Sequence, residues 1–517
     1  MKSNNDNQIE LANILSKELL DEKTIEEIST EFKVIKEYPL IAPFSYAKIL
    51  FDEKNSNYQY FIDEIKLNFE EERIYKDLYT FVEQSLDSLE HTKEDKFDVH
   101  LNDVIKKHEG FFIANPVASM EKVKYFLKKD IMGYGEIDAL MHDPNIEDIS
   151  CSGPNLPLYV WHRNYDSISS NISFESHQKL NSFVTRIVFK SGKHVSTAHP
   201  ISDLALTGNH RISVLYQKEI TPKGTSFTIR KFKEDPFTIV DLIGFGTIDL
   251  ETAAYLWMMI EAKMSIMIIG STGSGKTTVL NAIAGLVSEN DKLFSVEDVA
   301  EINLPHDNWF SLISRSGYGS NDEGEIGLYE LIKSGVRHRP DYIIVGEIRG
   351  SEAYVMFQAM ATGHGGLCTM HADSLESASK RLQQKPMSIP PAYLSLMNCA
   401  LVIKRVKDKV TGKSMRRVIS IEEISNTSTP TSVIKWNPKS DYFEHSFEIS
   451  KNLKKISENT GDDFDEVIAE HQKRTKILKW MSSNNIRQHK EVTEMIRKYY
   501  NNPKSVLKKI NYGDEIE

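Results

Sequence analysis

Apolar positions along the chain follow two periods, and the change from one to the other marks its organisation. Ile74, Leu78, Phe81, Val82, Leu86 and Leu89 recur at helical spacing, which predicts an amphipathic helix packed on one side. The residues around them are rich in Glu, Asp and Lys, so 1–115 reads as an acidic helical N-terminal region. Over 116–232 helices mix with short strands: "HRISVLYQ" and "SFTIRKF" read as strands separated by the turn-rich "TPKGT". That predicts a preceding α/β domain, closed by a charged linker over 233–240 in which Pro236 restricts its predecessor. From 241 to 436 the apolar runs "SIMIIG", "LFSVED", "YIIVGE" and "LCTMH" have the length of buried strands. They alternate with helical stretches such as "EIGLYELIKSGVRHRP", halted at Pro340, so a parallel sheet with helices on both faces is expected. Over 437–517, Ile477, Met481, Val492, Ile496 and Tyr500 are again spaced for one-sided helical packing. The fold class is therefore α/β with helical N- and C-terminal regions.

Composition narrows the classes. A chain of 517 residues is too long for one core. Its net charge of −11 argues against a protein whose main work is neutralising nucleic-acid phosphates. Cys151, Cys368 and Cys399 give no disulfide framework and fit a reducing cytoplasm. The opening "MKSNNDNQIELANILSKELLDEK" has no apolar core of signal-peptide length. The most apolar stretch, "YLWMMIEAKMSIMIIG", is broken by Glu261 and Lys263, so no membrane span is expected.

The stretch "GSTGSGKTT" matches G-x-x-x-x-G-K-[ST], follows a strand and precedes the helical "VLNAIAGL". In this loop Gly270, Ser271, Thr272, Gly273, Ser274, Gly275, Lys276, Thr277 and Thr278 would cradle phosphates. Its glycines let backbone N–H groups converge, and the helix N-terminus adds a favourable dipole. Lys276 is placed to neutralise the β and γ phosphates, and Thr277 to offer its hydroxyl to Mg²⁺. In "YIIVGEIRG", Glu347 ends an apolar strand, where a carboxylate polarises an attacking water or reaches the Mg²⁺ shell. The aspartate common at such strand ends is absent, Gly346 stands before the glutamate, and metal contact through water is expected. Glu297 and Asp298 end another strand on the same sheet edge, where carboxylates converge on a ligand crevice, and Glu297 is expected to assist Glu347. No N-K-x-D stretch appears, which argues against guanine specificity.

The stretch "TGHGGLCTMHADS" places His364, Cys368, His371 and Asp373 within ten residues. All are metal-ligand types, but Cys368 and His371 are an odd number apart in a strand and so face opposite sides.

The motifs together resemble the secretion ATPases that power type II and type IV secretion, type IV pili and archaeal surface filaments. Four occur in order: the P-loop, "SVEDVAEINLP", "IIVGEIRGSEA" and "ATGHGGLCTMHADS". The wording "INLPHDNW", "RHRPDYIIVGEIRG" and "MHDPNIEDISCSGPNLPLYVWHR" is similar to the archaeal branch, which includes archaellum and archaeal pilus assembly motors. The resemblance runs from about Gly133 to the end. It implies a RecA-like P-loop NTPase domain, a homohexameric ring and Mg-dependent ATP hydrolysis at the cytoplasmic membrane face. The expected partner is a membrane-embedded platform protein, with neither nucleic acid nor a membrane span of its own. It also implies that Arg211 and Arg230 supply guanidinium groups to the triphosphate, and that His364 and His371 lie near its γ-phosphate edge as a histidine box. Arg315 and Arg349 are weaker candidates, the latter placed to orient Glu347. The four-cysteine zinc module of many bacterial members is absent, and the acidic N-terminal region matches nothing in the family. Two rivals remain: a nucleic-acid-dependent RecA-like translocase, and a scaffold that binds nucleotide but hydrolyses it poorly.

Overall fold

The computed structural model describes residues 32–85, 94–108, 117–232, 236–315, 324–407, 414–425 and 429–514. They divide into two units, Met1–Phe232 and Lys233–Glu517.

In the first unit the strands are Phe32–Ile41 (β1), Ser45–Asp52 (β2), Asn57–Glu64 (β3), Ile146–Cys151 (β4), Pro157–His162 (β5), Asp166–Ser173 (β6), Ile201–Ala205 (β7), Arg211–Leu215 (β8) and Ser226–Arg230 (β9). They form one sheet in the order β1-β2-β3-β6-β5-β4-β9-β8-β7. The helix His177–Lys190, capped by Ser176, buries Leu180, Phe183, Val184, Ile187 and Val188 against Ile149, Val160, Ile212 and Ile229. Helices Phe69–Ser85, Glu94–Lys107 and Val117–Ile131 enclose a smaller core of Ile74, Leu78, Val82, Phe97, Leu101, Val104, Val123 and Leu127. Leu86 and Leu89 of the predicted stripe lie outside the described residues.

The N-terminal region is not helical throughout. Residues 32–64 form three antiparallel strands, because β2 ("SYAKILFD") and β3 ("NYQYFIDE") carry β-branched and aromatic residues on a half-buried face. The charges that suggested helix sit on β1, the sheet edge, where Lys33, Lys36 and Glu37 face solvent. The three strands join the rest of the sheet through parallel pairing at only two positions, Gln59↔Ser169 and Tyr60↔Ser170. A buried carboxylate locks that seam. Tyr38 and Tyr60 each donate to Asp143 Oδ2 at 2.6 Å, and Asn145 donates to Oδ1 through its backbone N–H (2.7 Å) and its amide (2.9 Å).

The second unit holds Ile266–Ile269 (β10), Leu293–Glu297 (β11), Trp309–Ile313 (β12), Tyr342–Val345 (β13), Gly365–Met370 (β14), Cys399–Lys407 (β15), Ser414–Glu423 (β16), Thr431–Asn437 (β17) and Tyr442–His445 (β18). Their order is β12-β11-β13-β14-β10-β15-β16-β17-β18. The first six in that order pair in parallel, as the buried apolar runs predict. The last three are antiparallel, because the connection between Lys407 and Ser414 is too short for a crossover helix.

The boundary expected at 436/437 falls inside the β17–β18 hairpin, so the C-terminal region opens with a strand and becomes helical from Lys451. Its helices supply Leu453, Val467, Ile477, Leu478, Met481, Val492, Ile496 and Tyr499 to the same core as Trp257, Ile268 and Leu401. Glu423 at the end of β16, only 1% exposed, ties sheet to tail. It accepts from Tyr255 Oη (2.8 Å), Ser450 Oγ (2.5 Å) and the N–H groups of Lys451 (2.6 Å) and Asn452 (3.2 Å), at the start of helix Lys451–Thr460. No helix among the described residues is long and apolar enough to cross a membrane.

Candidate nucleotide site

Strand β10 is buried at every position and delivers Gly270 to the C-terminal edge of the parallel strands. A Cβ on Gly270 would lie 2.5 Å from Ser274 Oγ and 2.6 Å from the Ile403 carbonyl, so only glycine passes here. The loop then curls on itself, with Ser274 Oγ donating to the Ser271 carbonyl at 2.8 Å. Gly275, at φ +94°, turns the chain into helix Lys276–Ala284. Lys276 is 7% exposed and folds back over the loop, its Nζ 3.0 Å from the Ser271 carbonyl.

The same ammonium lies 3.3 Å from Nδ1 of His371, which follows β14. His371 Nε2 in turn lies 3.0 Å from Glu347 Oε1, just beyond β13. Lysine, imidazole and carboxylate thus form a line across the edges of three adjacent strands. Burial and the Lys276 charge hold the imidazole below its ordinary value, despite Glu347. A neutral ring then accepts from Lys276 at Nδ1 and turns Nε2 toward the Glu347 carboxylate, a tautomer assigned from these neighbours. Arg349 holds the other Glu347 oxygen at 2.5 Å. Burial works to raise the Glu347 carboxyl, but the hydrogen bond and charge of Arg349, then His371 and Lys276, keep it below the usual range. It stays ionised at neutral pH.

Glu297 behaves differently. It is 2% exposed, and its Oε1 accepts from the N–H groups of Glu301 and Ile302, both at 3.0 Å. Its Oε2 is buried with no hydrogen-bond partner among the described residues. Burial pushes this carboxyl up to about 8, against the pull of those two N–H groups. A Cβ on Gly346 would come 3.0 Å from Glu297 Cγ. The aspartate missing from the end of β13 is therefore replaced in space by a glutamate from β11.

Not every predicted residue converges. His364 precedes β14, whereas the phosphate loop follows its parallel neighbour β10. The six-residue strand between His364 and His371 spans about 20 Å, so one chain's His364 sits at the far edge from its own loop. There it bonds to the Ala359 carbonyl (3.0 Å) and Thr362 Oγ1 (3.0 Å), finishing a helix. Cys368 is fully buried inside β14. Arg211 and Arg230 belong to the first unit, where they are register partners on β8 and β9, with Asp148 opposite Arg230 on β4. Arg315 bonds to the Gly324 carbonyl at 2.9 Å. Asp298 accepts from Ser314 Oγ at 3.2 Å.

Three supporting residues escaped the sequence reading. Glu352 Oε1 accepts from the N–H groups of Arg349 (2.5 Å) and Gly350 (2.6 Å), bracing the turn behind Glu347. Thr369 donates to the Gly346 carbonyl at 2.7 Å, holding that turn to β14. Arg416 on β16 reaches the Gly273 carbonyl, with its Nε at 3.3 Å. An acidic residue shortly after a glycine turn would have flagged Glu352; nothing local marks the other two.

The donor set fits a magnesium nucleotide: a glycine cradle at a helix N-terminus, an ammonium, an ionised carboxylate, and an orphaned buried carboxyl oxygen. A family model described as type II/IV secretion system protein matches residues 136–500. An uncharacterized protein of Methanocaldococcus jannaschii is 37% identical over 391 residues, which cover 74% of this chain and 70% of that protein. A putative conjugal transfer protein of Mycobacterium tuberculosis is 29% identical over 266 residues, 50% of this chain and 74% of its own. The solved structure of the Yersinia pseudotuberculosis ATPase DotB covers 70% of this chain and 91% of its own at 16% identity and a TM-score of 0.42. The archaeal relative agrees with the branch suggested by the motif wording. On the family match, which spans well over half the sequence, and that long relative, this chain belongs to the type II/IV secretion system protein family.

Proposed function

We propose that the chain is a Mg-dependent ATPase that converts hydrolysis into mechanical work for filament assembly or secretion. The line Lys276–His371–Glu347 beside the glycine cradle carries this reading. Lys276 would neutralise the β and γ phosphates, and Glu347, ionised and aimed by Arg349 and His371, would orient the attacking water. Thr277 and Glu347 would hold Mg²⁺, directly or through water, with Glu297 Oε2 completing the shell. When bound, the ion supplies charge neutralisation on the phosphate oxygens. His371 links the lysine to the carboxylate, so a change at one is felt by the other.

Assembly into a homohexameric ring, docking on a membrane-embedded platform protein, and a place at the inner face of the cell membrane belong to the same proposal. So does a phosphate-sensing role for Arg211 and Arg230. Turnover by Lys276→Ala tests the site: it should fall to background, and wild-type turnover would refute the assignment. Mixing wild type with Glu347→Gln tests ring coupling, since activity should drop below simple dilution. The name of the Mycobacterium relative favours a second reading, a motor serving nucleic-acid transfer. Strong stimulation of ATP turnover by single-stranded DNA would support it over the first.

A further inference from the structure

Sheet order gives the nucleotide site a direction. Strands β14 and β13 lie on one side of β10, and β15 and β16 on the other. Lys276, His371 and Glu347 fix the γ-phosphate end on the β14–β13 side, so ribose and base must leave the loop over β15 and β16. The inference rests on the nucleotide reading above.

On that side β16 presents Arg416. Its Nε donates to the Gly273 carbonyl at 3.3 Å, and its Cδ lies 3.1 Å from where a Cβ on Gly275 would stand. The side chain therefore lies along the outer rim of the loop, against the two glycines nearest the helix. Its register partner is Arg405 on β15, so two guanidinium groups share one face of the sheet. Arg417, the next residue, takes the structural role on the opposite face. It binds Asp441 at 2.8 and 2.9 Å and the Phe245 carbonyl at 2.9 Å.

We propose that Arg416 forms the base-side wall of the site, its planar guanidinium stacking on the purine ring while Nε anchors it to the loop. A guanidinium stacks on an aromatic face without reading its exocyclic groups. The wall therefore selects for a ring rather than for adenine, and ADP and GDP should bind within a few-fold of each other.

The test compares Mg·ADP with Mg·tripolyphosphate, which has phosphates but neither ribose nor base, by calorimetric titration of the full chain. Arg416→Ala and Arg416→Gln should each weaken ADP about tenfold and change tripolyphosphate binding far less. Arg416→Lys, which keeps the charge but not the planar face, should recover little. Unchanged ADP affinity, a parallel loss for tripolyphosphate, or full recovery with lysine would each overturn the proposal. If the wild-type chain binds neither ligand, the nucleotide reading itself falls, and this proposal with it.

Discussion

Replacing Glu297 by glutamine separates what burial does to this carboxyl from what it does for catalysis. The two side chains are nearly isosteric, and the amide oxygen can still accept from the N–H groups of Glu301 and Ile302, now 3.0 Å from Oε1. The wild-type carboxyl moves from an ordinary 4.5 in the unfolded chain up to about 8 in the fold, chiefly through burial. Below 4.5 both states hold the proton. Between the two values the unfolded chain ionises while the folded one does not, so stability falls as pH rises by about 1.4 kcal/mol per pH unit. Across the whole interval the loss is on the order of 5 kcal/mol. Glu297→Gln has no such proton to lose. Denaturant unfolding of the nucleotide-free chain between pH 5 and 9 should show the variant matching wild type at the acid end. At pH 9 the variant should be more stable by several kcal/mol. Parallel stability curves for the two proteins would refute the reasoning, because the carboxyl would then be ionised and solvated in the fold. Adding Mg·ADP gives a second reading. A cation near Oε2 favours the carboxylate, so the ligand should stabilise wild type more at pH 9 than at pH 6, with a smaller difference in the variant.

Two further outcomes follow from residues away from the phosphates. Glu423→Ala leaves Tyr255, Ser450 and two backbone N–H groups without their acceptor, which should cost about 3–5 kcal/mol in denaturant unfolding; Glu423→Gln, which keeps one oxygen, should cost less. His445 lies 3.0 Å from both Asp249 Oδ2 and Glu251 Oε2. Burial disfavours its charge, but the neighbouring Asp249 and Glu251 carboxylates outweigh this and raise it above 6.5. Its stabilising contribution is complete below pH 6.5 and is lost as pH rises through the folded value. The stability gap between wild type and His445→Gln should therefore narrow from pH 6 to pH 8, and a constant gap would argue against a charged imidazole.

The parallel strands were legible because they are buried on both faces and so appear as unbroken apolar runs. The phosphate loop was legible because its glycines answer to one local geometry. His371 could be placed from its position just past such a run, and the same counting should have separated it from His364, which precedes the strand. What the sequence hid is non-local. Arg416 reaches the loop only because β16 returns beside β15, and two adjacent arginines give no sign of which one faces the nucleotide. Glu297 reads in the sequence as a strand-end acid of the ligand crevice, and its burial comes from Gly346 on a neighbouring strand, which admits it to the interior. The strands over 32–64 were lost in charge: an edge strand that wards off pairing with lysine and glutamate resembles the polar face of a helix.

The seam between β3 and β6 is the narrowest junction of its sheet. Every other junction in that sheet has at least four paired positions, against two here. The family match opens at residue 136, after these three strands and the helices that follow them. Without β1 to β3, strand β6 would be an edge, and one short ladder and one shared carboxylate are all that extend it. The three strands then read as an attachment beside the matched module, whose length and charge can change without disturbing the register of the strands beyond β6.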